Sequence, residues 1–486
     1  MKDDINDVLN EALDLGATYG DVRLVEQEVE YIQVRKGNVA TISSSREKGF
    51  GIRLLYNGAW GFASASLTGE GKDFKEKLSK VMRQAVSVAK ASAQLKYKDV
   101  VLDDTPPVTN GYYKTPVKED PFKVPVEDKL ELLLTADARM REVEGVKVTQ
   151  GSLNFYKERK IFASTEGAWI EQEIVHSGGG IRAKAVKGED VQVRSYPNSF
   201  EGDYAAEGFE FIRKMNLPEE APRVASEAVA LLSAKQCPQL ETDLILAGDQ
   251  LALQIHESCG HPTELDRVLG TEVSYAGTSF LTLDKLNNFY YGSPQVTITA
   301  DATLVGGLGS FGYDDEGVPA QRSFLVKEGK FVGYQTSRET APIIGERSNG
   351  CMRADGWNRL PLIRMTNINL EPGDWTLDEM IEDTKEGIYM ETNRSWSIDD
   401  LRLNFQFGTE VAYEIKDGSL GELYKNPTYT GITPQFWNSC DAIANRDNWK
   451  IWGLVNCGKG EPSQSMRVAH GASAARFKNV KIGIWK

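Results

Sequence analysis

Apolar positions recur three and four apart over residues 1–20 and again over 72–93, where Leu78, Val81, Met82, Ala85 and Val88 trace one face. Both stretches predict amphipathic helices, the first ending at Gly16 or Gly20. Between them the period changes to two. Residues 21–35 alternate, with Val22, Leu24, Val29, Tyr31 and Gln33 in strand-like phases, and segments 49–56 and 60–64 flank the hairpin pair Asn57-Gly58. A proline-punctuated loop over 103–125 leads into a helix over 126–141. Strand patterns then run from Val146 to Val193, broken by Gly151, Gly167 and a predicted turn at Gly178-Gly179-Gly180. A long helix from about Tyr204 to Ala234 closes this half and sets a domain boundary near residue 236.

The second half opens with a strand over 242–247 and a short apolar helix beginning Leu251-Ala252-Leu253, and is mostly β thereafter. Segments 322–326 and 331–335 flank Lys327-Glu328-Gly329-Lys330 as a hairpin, and a strand is predicted over 296–300. Segments 361–370, 387–392, 401–407, 411–416 and 419–425 read as a long antiparallel meander. Few β-α-β alternations occur, so the expected class is α+β rather than a doubly wound sheet. Two domains are expected. Residues 1–236 form an antiparallel sheet with flanking helices, and 237–486 form a mostly antiparallel β domain.

Composition narrows this picture. A chain of 486 residues is too long for one ordinary core. A net charge of -14 argues against a nucleic-acid-binding face. The acidic start, Met1-Lys2-Asp3-Asp4-Ile5-Asn6-Asp7, has neither the basic nor the apolar region of a signal peptide. No apolar run is long enough to span a membrane. Cys237, Cys259, Cys351, Cys440 and Cys457 are odd in number and scattered, which fits free thiols in a reducing cytoplasm.

The candidate chemistry lies in one stretch. Of four histidines, His176, His256, His261 and His470, two flank a glutamate in Gln254-Ile255-His256-Glu257-Ser258-Cys259-Gly260-His261-Pro262. Two imidazoles and a carboxylate supply metal ligands and a base for a metal-bound water. The zincin pattern places its histidines four apart on one helix face. Here they are five apart, roughly 140° out of phase on a regular helix. One metal can be reached by both only through a π-bulge or a helix that ends near His261. The second route is favoured, since Gly260 relaxes the backbone and Pro262 biases His261 away from helix.

A catalytic zinc site usually takes three protein ligands. Candidates for the third are the cysteines, His176, His470 or a carboxylate. Cys259 points about 60° away from His256 on a helix. Cys457 sits in a glycine-flanked turn, Val455-Asn456-Cys457-Gly458-Lys459-Gly460, where Lys459 favours its thiolate.

His256-Glu257-x-x-Gly260-His261-x-x-Glu264-x-Asp266, with Asn456-Cys457-Gly458-Lys459-Gly460 far downstream, resembles the TldD/PmbA family of metallopeptidases, in its metal-bearing TldD branch. Gly312-Tyr313-Asp314-Asp315-Glu316-Gly317-Val318-Pro319-Ala320-Gln321 and Arg364-Met365-Thr366-Asn367 match as well. The resemblance implies Zn2+ held by His256, His261 and Cys457, with Glu257 as the base. It also implies a cytoplasmic peptidase for short or unfolded peptides of weak sequence preference, working as a homodimer or with a TldE/PmbA-like subunit. Glu264 is a candidate acceptor for the His261 imidazole, and His470 a candidate contact of oxyanion or substrate. Two rival readings are an inactive partner of a peptidase and a zinc amidohydrolase acting on non-peptide amides.

Overall fold

A computed structural model of the chain describes residues 1–67 and 74–484. The predicted start of the second helix, at Lys72, lies outside the described residues; the helix is described from Phe74 to Leu95. One eight-stranded sheet runs in the order Ala59–Ser66, Asn38–Tyr56, Tyr19–Arg35, Val146–Ser164, Trp169–Lys187, Gly111–Lys114. Asp190–Tyr196 and Asp203–Ala205 also pair with Trp169–Lys187. The central pairings are antiparallel, and Gly111–Lys114 joins in parallel.

The long strands of this sheet serve two separate cores. Near one end, Val22, Leu24, Phe50, Ile52 and Leu54 pack against Ile5, Val8 and Leu9 of helix Lys2–Asp14 and Leu78, Val81 and Met82 of Phe74–Leu95. Near the other, Ile32, Val34, Leu153, Phe155 and Ile181 pack against Leu133 and Met140 of Val126–Arg141 and Val224 and Ala228 of Leu217–Ser233. Each helix thus buries the apolar stripe that its periodicity advertises.

Three expectations change here. Asn38–Tyr56 is one strand, and its first eleven residues are exposed. No apolar alternation marks that stretch because both its faces are wet, and backbone pairing such as Tyr31↔Ser43 holds it. Gly178-Gly179-Gly180 is no turn but the middle of Trp169–Lys187. A Cβ on Gly178 would lie 1.9 Å from Tyr204, and one on Gly179 2.2 Å from the Ser152 carbonyl oxygen. The glycines therefore admit close approach rather than reversal. The long helix over 204–234 is divided into Asp203–Ala205 as a strand, then helices Glu210–Met215 and Leu217–Ser233. Asn216 between the helices is left-handed, at φ 51. Pro218 follows, lacks an N–H, and cannot continue the first helix.

A second eight-stranded sheet follows the order Glu386–Ile398, Leu240–Leu246, Ala475–Ile482, Thr428–Ile432, Asn404–Lys416, Ser419–Lys425, Lys235–Gln236, and Cys440–Ile443 also pairs with Ala475–Ile482. Glu386–Ile398 also pairs with Asn404–Lys416, so five of these strands close on themselves. The predicted strands 401–407 and 411–416 are one continuous strand, Asn404–Lys416. Two parallel pairings, Leu240–Leu246 with Glu386–Ile398 and Ser419–Lys425 with Lys235–Gln236, interrupt the otherwise antiparallel meander. The fold is α+β. The core of this region unites Leu251, Ile255 and Cys259 with Phe405, Tyr429, Phe436, Trp437 and Phe477, which seats the histidine-bearing helix in the body of the molecule.

The glycine run is open to a direct test. Gly179→Ala should lower the denaturant midpoint, by roughly 1–3 kcal/mol of stability, the usual cost of overpacking. An unchanged midpoint would show that the strand yields without strain.

Candidate metal centre

Helix Gly248–Ile255 does not stop at His256. It widens into a π-helical turn, His256–Gly260, and then tightens into a 3-10 turn, His261–Thr263. The His261 N–H donates to the His256 carbonyl oxygen five residues back, the spacing that defines a π turn. Residues five apart are thereby stacked on one face. The favoured expectation, a helix ending at His261, is corrected. His261 stays helical at φ -61, ψ -45 despite the proline after it, and Pro262 falls in the first positions of the 3-10 turn, where its missing N–H costs nothing. Gly260 serves packing rather than backbone freedom, for a Cβ there would sit 2.3 Å from the Met365 sulfur. Two bonds clamp the turn from outside. Tyr291 Oη donates to the Ser258 carbonyl oxygen at 2.8 Å, and Trp437 Nε1 to Ser258 Oγ at 2.9 Å.

The turn brings His256 and His261 together with rings 4.8 Å apart at 87°. Cys457 reaches them from the opposite direction. It lies on strand Lys450–Lys459, whose pairing with Gln464–Ala472 slips by a bulge between Leu454 and Cys457. Bulges re-aim side chains. Ligand atoms of His256, His261 and Cys457 lie within 4.8 Å of one another, all buried, and Cys457 Sγ is 3.7 Å from His261 Nε2. Zinc–nitrogen and zinc–sulfur bonds of ordinary length at a tetrahedral angle place these atoms roughly 3.5 Å apart. Two nitrogens and a sulfur are the borderline-soft donor set that zinc accepts, so the residues fit such an ion.

Each imidazole has its other nitrogen engaged. His261 Nδ1 is 2.9 Å from Glu264 Oε2, and a carboxylate there can only accept, so the proton sits on Nδ1 and Nε2 carries the lone pair. His470 settles His256 in the same way. Its Nδ1 donates to the Ile368 carbonyl oxygen at 3.2 Å, so its Nε2 accepts from His256 Nδ1 at 2.8 Å. His256 Nε2 is then free as a donor to a metal. Burial drives His256 down to about 4 and pushes His261 and His470 well below the usual histidine range. Neutral imidazoles are the form in which histidine binds metal.

Charges around this cluster are buried but compensated. Burial raises the Cys457 thiol, yet His261 and Arg364 outweigh it and the net shift is downward. Arg364 donates to the Cys457 carbonyl oxygen. Lys459, expected beside the thiolate, is instead 2.7 Å from Asp266 and 3.3 Å from Glu264. Glu257 pairs with Arg402, a residue in left-handed backbone at φ 64. Arg267 steadies that loop by donating to the Asp400 carbonyl oxygen at 3.0 Å. Arg364 lies in a segment already singled out, whereas Arg402 carried no signal: it lies 145 residues from Glu257 in an ordinary polar loop. Cys259 lies in the apolar core, and His176 lies apart from the cluster, stacked on Tyr156. A cavity of about 800 Å³ runs from Asp266, Ile363 and Gly460 to Arg53 and Trp60 of the first sheet; none of His256, Glu257, His261 and Cys457 lines it.

Known proteins match this chain along most of its length. Family models described as PmbA/TldA metallopeptidase domain 1, central domain and C-terminal domain match residues 20–89, 119–236 and 240–484. The chain belongs to the TldD/PmbA metallopeptidase family. A metalloprotease of Methanocaldococcus jannaschii is 32% identical over 460 residues, covering 94% of this chain and 95% of the relative. A relative in Haemophilus influenzae, named a metalloprotease TldD homolog, is 25% identical and covers 96% and 92%. One in Saccharolobus solfataricus, named a zinc metalloprotease TldD homolog, is 23% identical and covers 98% of each. These relatives place the chain in the TldD branch, as a peptidase. Among solved structures, TldE from Thermococcus kodakarensis superimposes with TM-score 0.72 at 16% identity, covering 99% of this chain and 100% of that one. A Thermotoga maritima protein described as a modulator of DNA gyrase gives 0.75 at 17%, with the same coverage. These two likenesses concern the fold alone.

Lys459 is the buried cation whose loss should cost most. Lys459→Met leaves Glu264 and Asp266 buried without it, and stability should fall by about 3–5 kcal/mol. Calorimetric unfolding of the variant near the wild-type temperature would show that other cations suffice.

Proposed function

We propose that the chain is a zinc-dependent peptidase, with Zn2+ held by His256, His261 and Cys457 and Glu257 as general base. The observation that carries this reading is the convergence of three donor atoms whose imidazoles have both Nδ1 positions committed to buried acceptors. Bound zinc would supply Lewis acidity and make a water acidic near neutral pH. The chain's own groups do the rest. Glu257 takes the proton of the attacking water and returns it to the leaving amine. Arg402 orients the Glu257 carboxylate and limits its rotation. Glu264 and His470 hold the imidazoles in the tautomer and angle that binding needs, a role usually worth 10–100-fold in metal affinity.

The substrates proposed are short or unfolded peptides with weak sequence preference. The cavity of about 800 Å³ lined by Asp266, Ile363 and Gly460 is large enough for an extended segment. Backbone pairing to a strand edge would hold such a segment with little regard for its side chains. The reading further divides the chain near residue 236 and places it in the cytoplasm. It joins the chain to a second copy or to a TldE-like subunit, a partner supported by the shared fold of TldE.

Two variants test the assignment separately. Glu257→Gln should abolish hydrolysis of an unstructured peptide while retaining about one zinc per chain by elemental analysis; metal lost along with activity would remove Glu257 from the role of base. Cys457→Ser should lose most of its zinc at micromolar protein, and full occupancy would remove Cys457 from the ligand set.

A further inference from the structure

A second polar cleft, separate from the large cavity, lies between the first sheet and the hairpin of Lys450–Lys459 with Gln464–Ala472. Its walls come from strands Val146–Ser164 and Trp169–Lys187, from the Phe311–Asp315 and Arg353–Asp355 segments, and from Ser465–Arg467. It measures about 50 Å³. A water occupies roughly 10–15 Å³ on this measure, so the cleft admits three or four heavy atoms, the size of one carboxylate group.

Three cationic or donor side chains in this cleft, the buried His176 and the half-buried Arg353 and Arg467, meet no acidic partner among the described residues. His176 is buried, and neither of its ring nitrogens meets a hydrogen-bond partner among the described residues. A neutral imidazole still carries one N–H, so an acceptor is missing from its surroundings. Arg467 lies over the Tyr156 ring at 4.1 Å and makes a long contact, 3.4 Å, to Asn154. Arg353 donates to the Met365 carbonyl oxygen at 2.9 Å and lies over Phe311. Neither guanidinium meets a carboxylate at ion-pair distance among the described residues. That is unexpected in a chain with 70 acidic residues against 56 basic ones.

The acidic side chains in the cleft are already committed. Glu158 accepts from Tyr156 and Gln27 and pairs with Lys160. Asp315 pairs with Lys160 and accepts from the Ala354 N–H. Asp314 accepts backbone N–H groups of Glu316, Val318 and Met352. Asp355 accepts the Ser465 N–H. Arg364 adds a further positive charge, and with burial it lowers Arg353 to about 10. The cleft also adjoins the candidate metal centre, for Met466 in its wall is the cross-strand partner of Cys457.

We infer that this cleft, through Arg353, Arg467 and His176, binds a carboxylate of the peptide substrate, its free C-terminus, and so anchors the chain beside the metal centre. The inference rests on the peptidase reading and adds a substrate class: short peptides ending in a free acid. The two guanidiniums offer charge-assisted hydrogen bonds to the carboxylate oxygens, and the His176 N–H supplies one more.

Matched peptides carrying a C-terminal acid or a C-terminal amide separate this inference from the reading beneath it. With metal-loaded wild type, kcat/KM should favour the acid by at least roughly tenfold, the low end of what a charged hydrogen bond contributes. In Arg467→Gln the ratio should fall to about one, mainly through KM for the acid, and Arg467→Lys should restore part of it. Equal kcat/KM for acid and amide in the wild type would overturn the cleft while leaving the peptidase standing. Cleavage of neither would instead overturn the peptidase reading. A binding measurement needs no turnover: N-acetylglycine should bind the wild type, and binding should weaken about tenfold or more in Arg467→Gln. Equal binding of the uncharged N-acetylglycinamide would show that the cleft does not read the carboxylate, and displacement of N-acetylglycine by inorganic phosphate at equal concentration would make it a general anion site; either result overturns the inference.

Discussion

The candidate metal centre depends on one constraint, that the Nε2 atoms of two buried neutral imidazoles aim at a common point. An imidazole is free to rotate about its side chain and to carry its proton on either nitrogen. Burial alone removes only the charged form. The Glu264 carboxylate and the His470 ring, each under 3 Å from its imidazole, remove the remaining freedom. His470 is itself defined by the Ile368 carbonyl oxygen, so the tautomer of His256 is set two bonds away by the backbone of an edge strand. Such a relay has force only where water cannot compete, which is why its members are buried.

The second requirement is charge. Glu264 and Asp266 lie in the interior, where an unpaired carboxylate is costly. Lys459 stands between these two and also donates to the Ile363 carbonyl oxygen. Burial would lower this ammonium, but Asp266, Glu264 and Glu272 more than offset it and hold it above the ordinary lysine range. Glu272 in turn pairs with Arg267 and accepts the Gly460 N–H. Lys459 and Gly460 follow Cys457 within three residues on the bulged hairpin. The glycine-flanked stretch around the cysteine therefore brings both a candidate thiolate and the cation that pairs with the His261 acceptor. Their proximity in sequence reflects one hairpin serving two electrostatic tasks.

Much of this was legible because periodicity and turn chemistry are local. The amphipathic helices, the Asn57-Gly58 hairpin and the α+β class follow from side-chain spacing and hold in the structure. The folded chain also brings His256, His261 and Cys457, named by the motif resemblance, within reach of one another. What escaped was decided by distant neighbours. The wet half of Asn38–Tyr56 has no hydrophobic phase because its stability comes from the partner strand. Three consecutive glycines look like a turn until Tyr204 and Gly202 are seen to press on them. Arg402 reaches Glu257 from the loop between the paired strands Glu386–Ile398 and Asn404–Lys416, a contact that nothing in the loop's own sequence announces.

The π turn shows where sequence reasoning reaches its limit. Five-residue spacing excluded a regular helix, and both remaining geometries were identified from the residues alone. Gly260 and Pro262 favoured a helix end, because each residue was weighed by its intrinsic backbone preference. In the folded chain those preferences are overridden by contacts worth more: the Met365 sulfur against Gly260, and the bonds from Tyr291 and Trp437 to Ser258. A π turn is less stable than an α turn and persists only where its surroundings hold it. The extra residue between the histidines is therefore a geometric device. It rotates His261 onto the face of His256, and the short 3-10 turn that follows ends at the extended Glu264, whose carboxylate returns to His261.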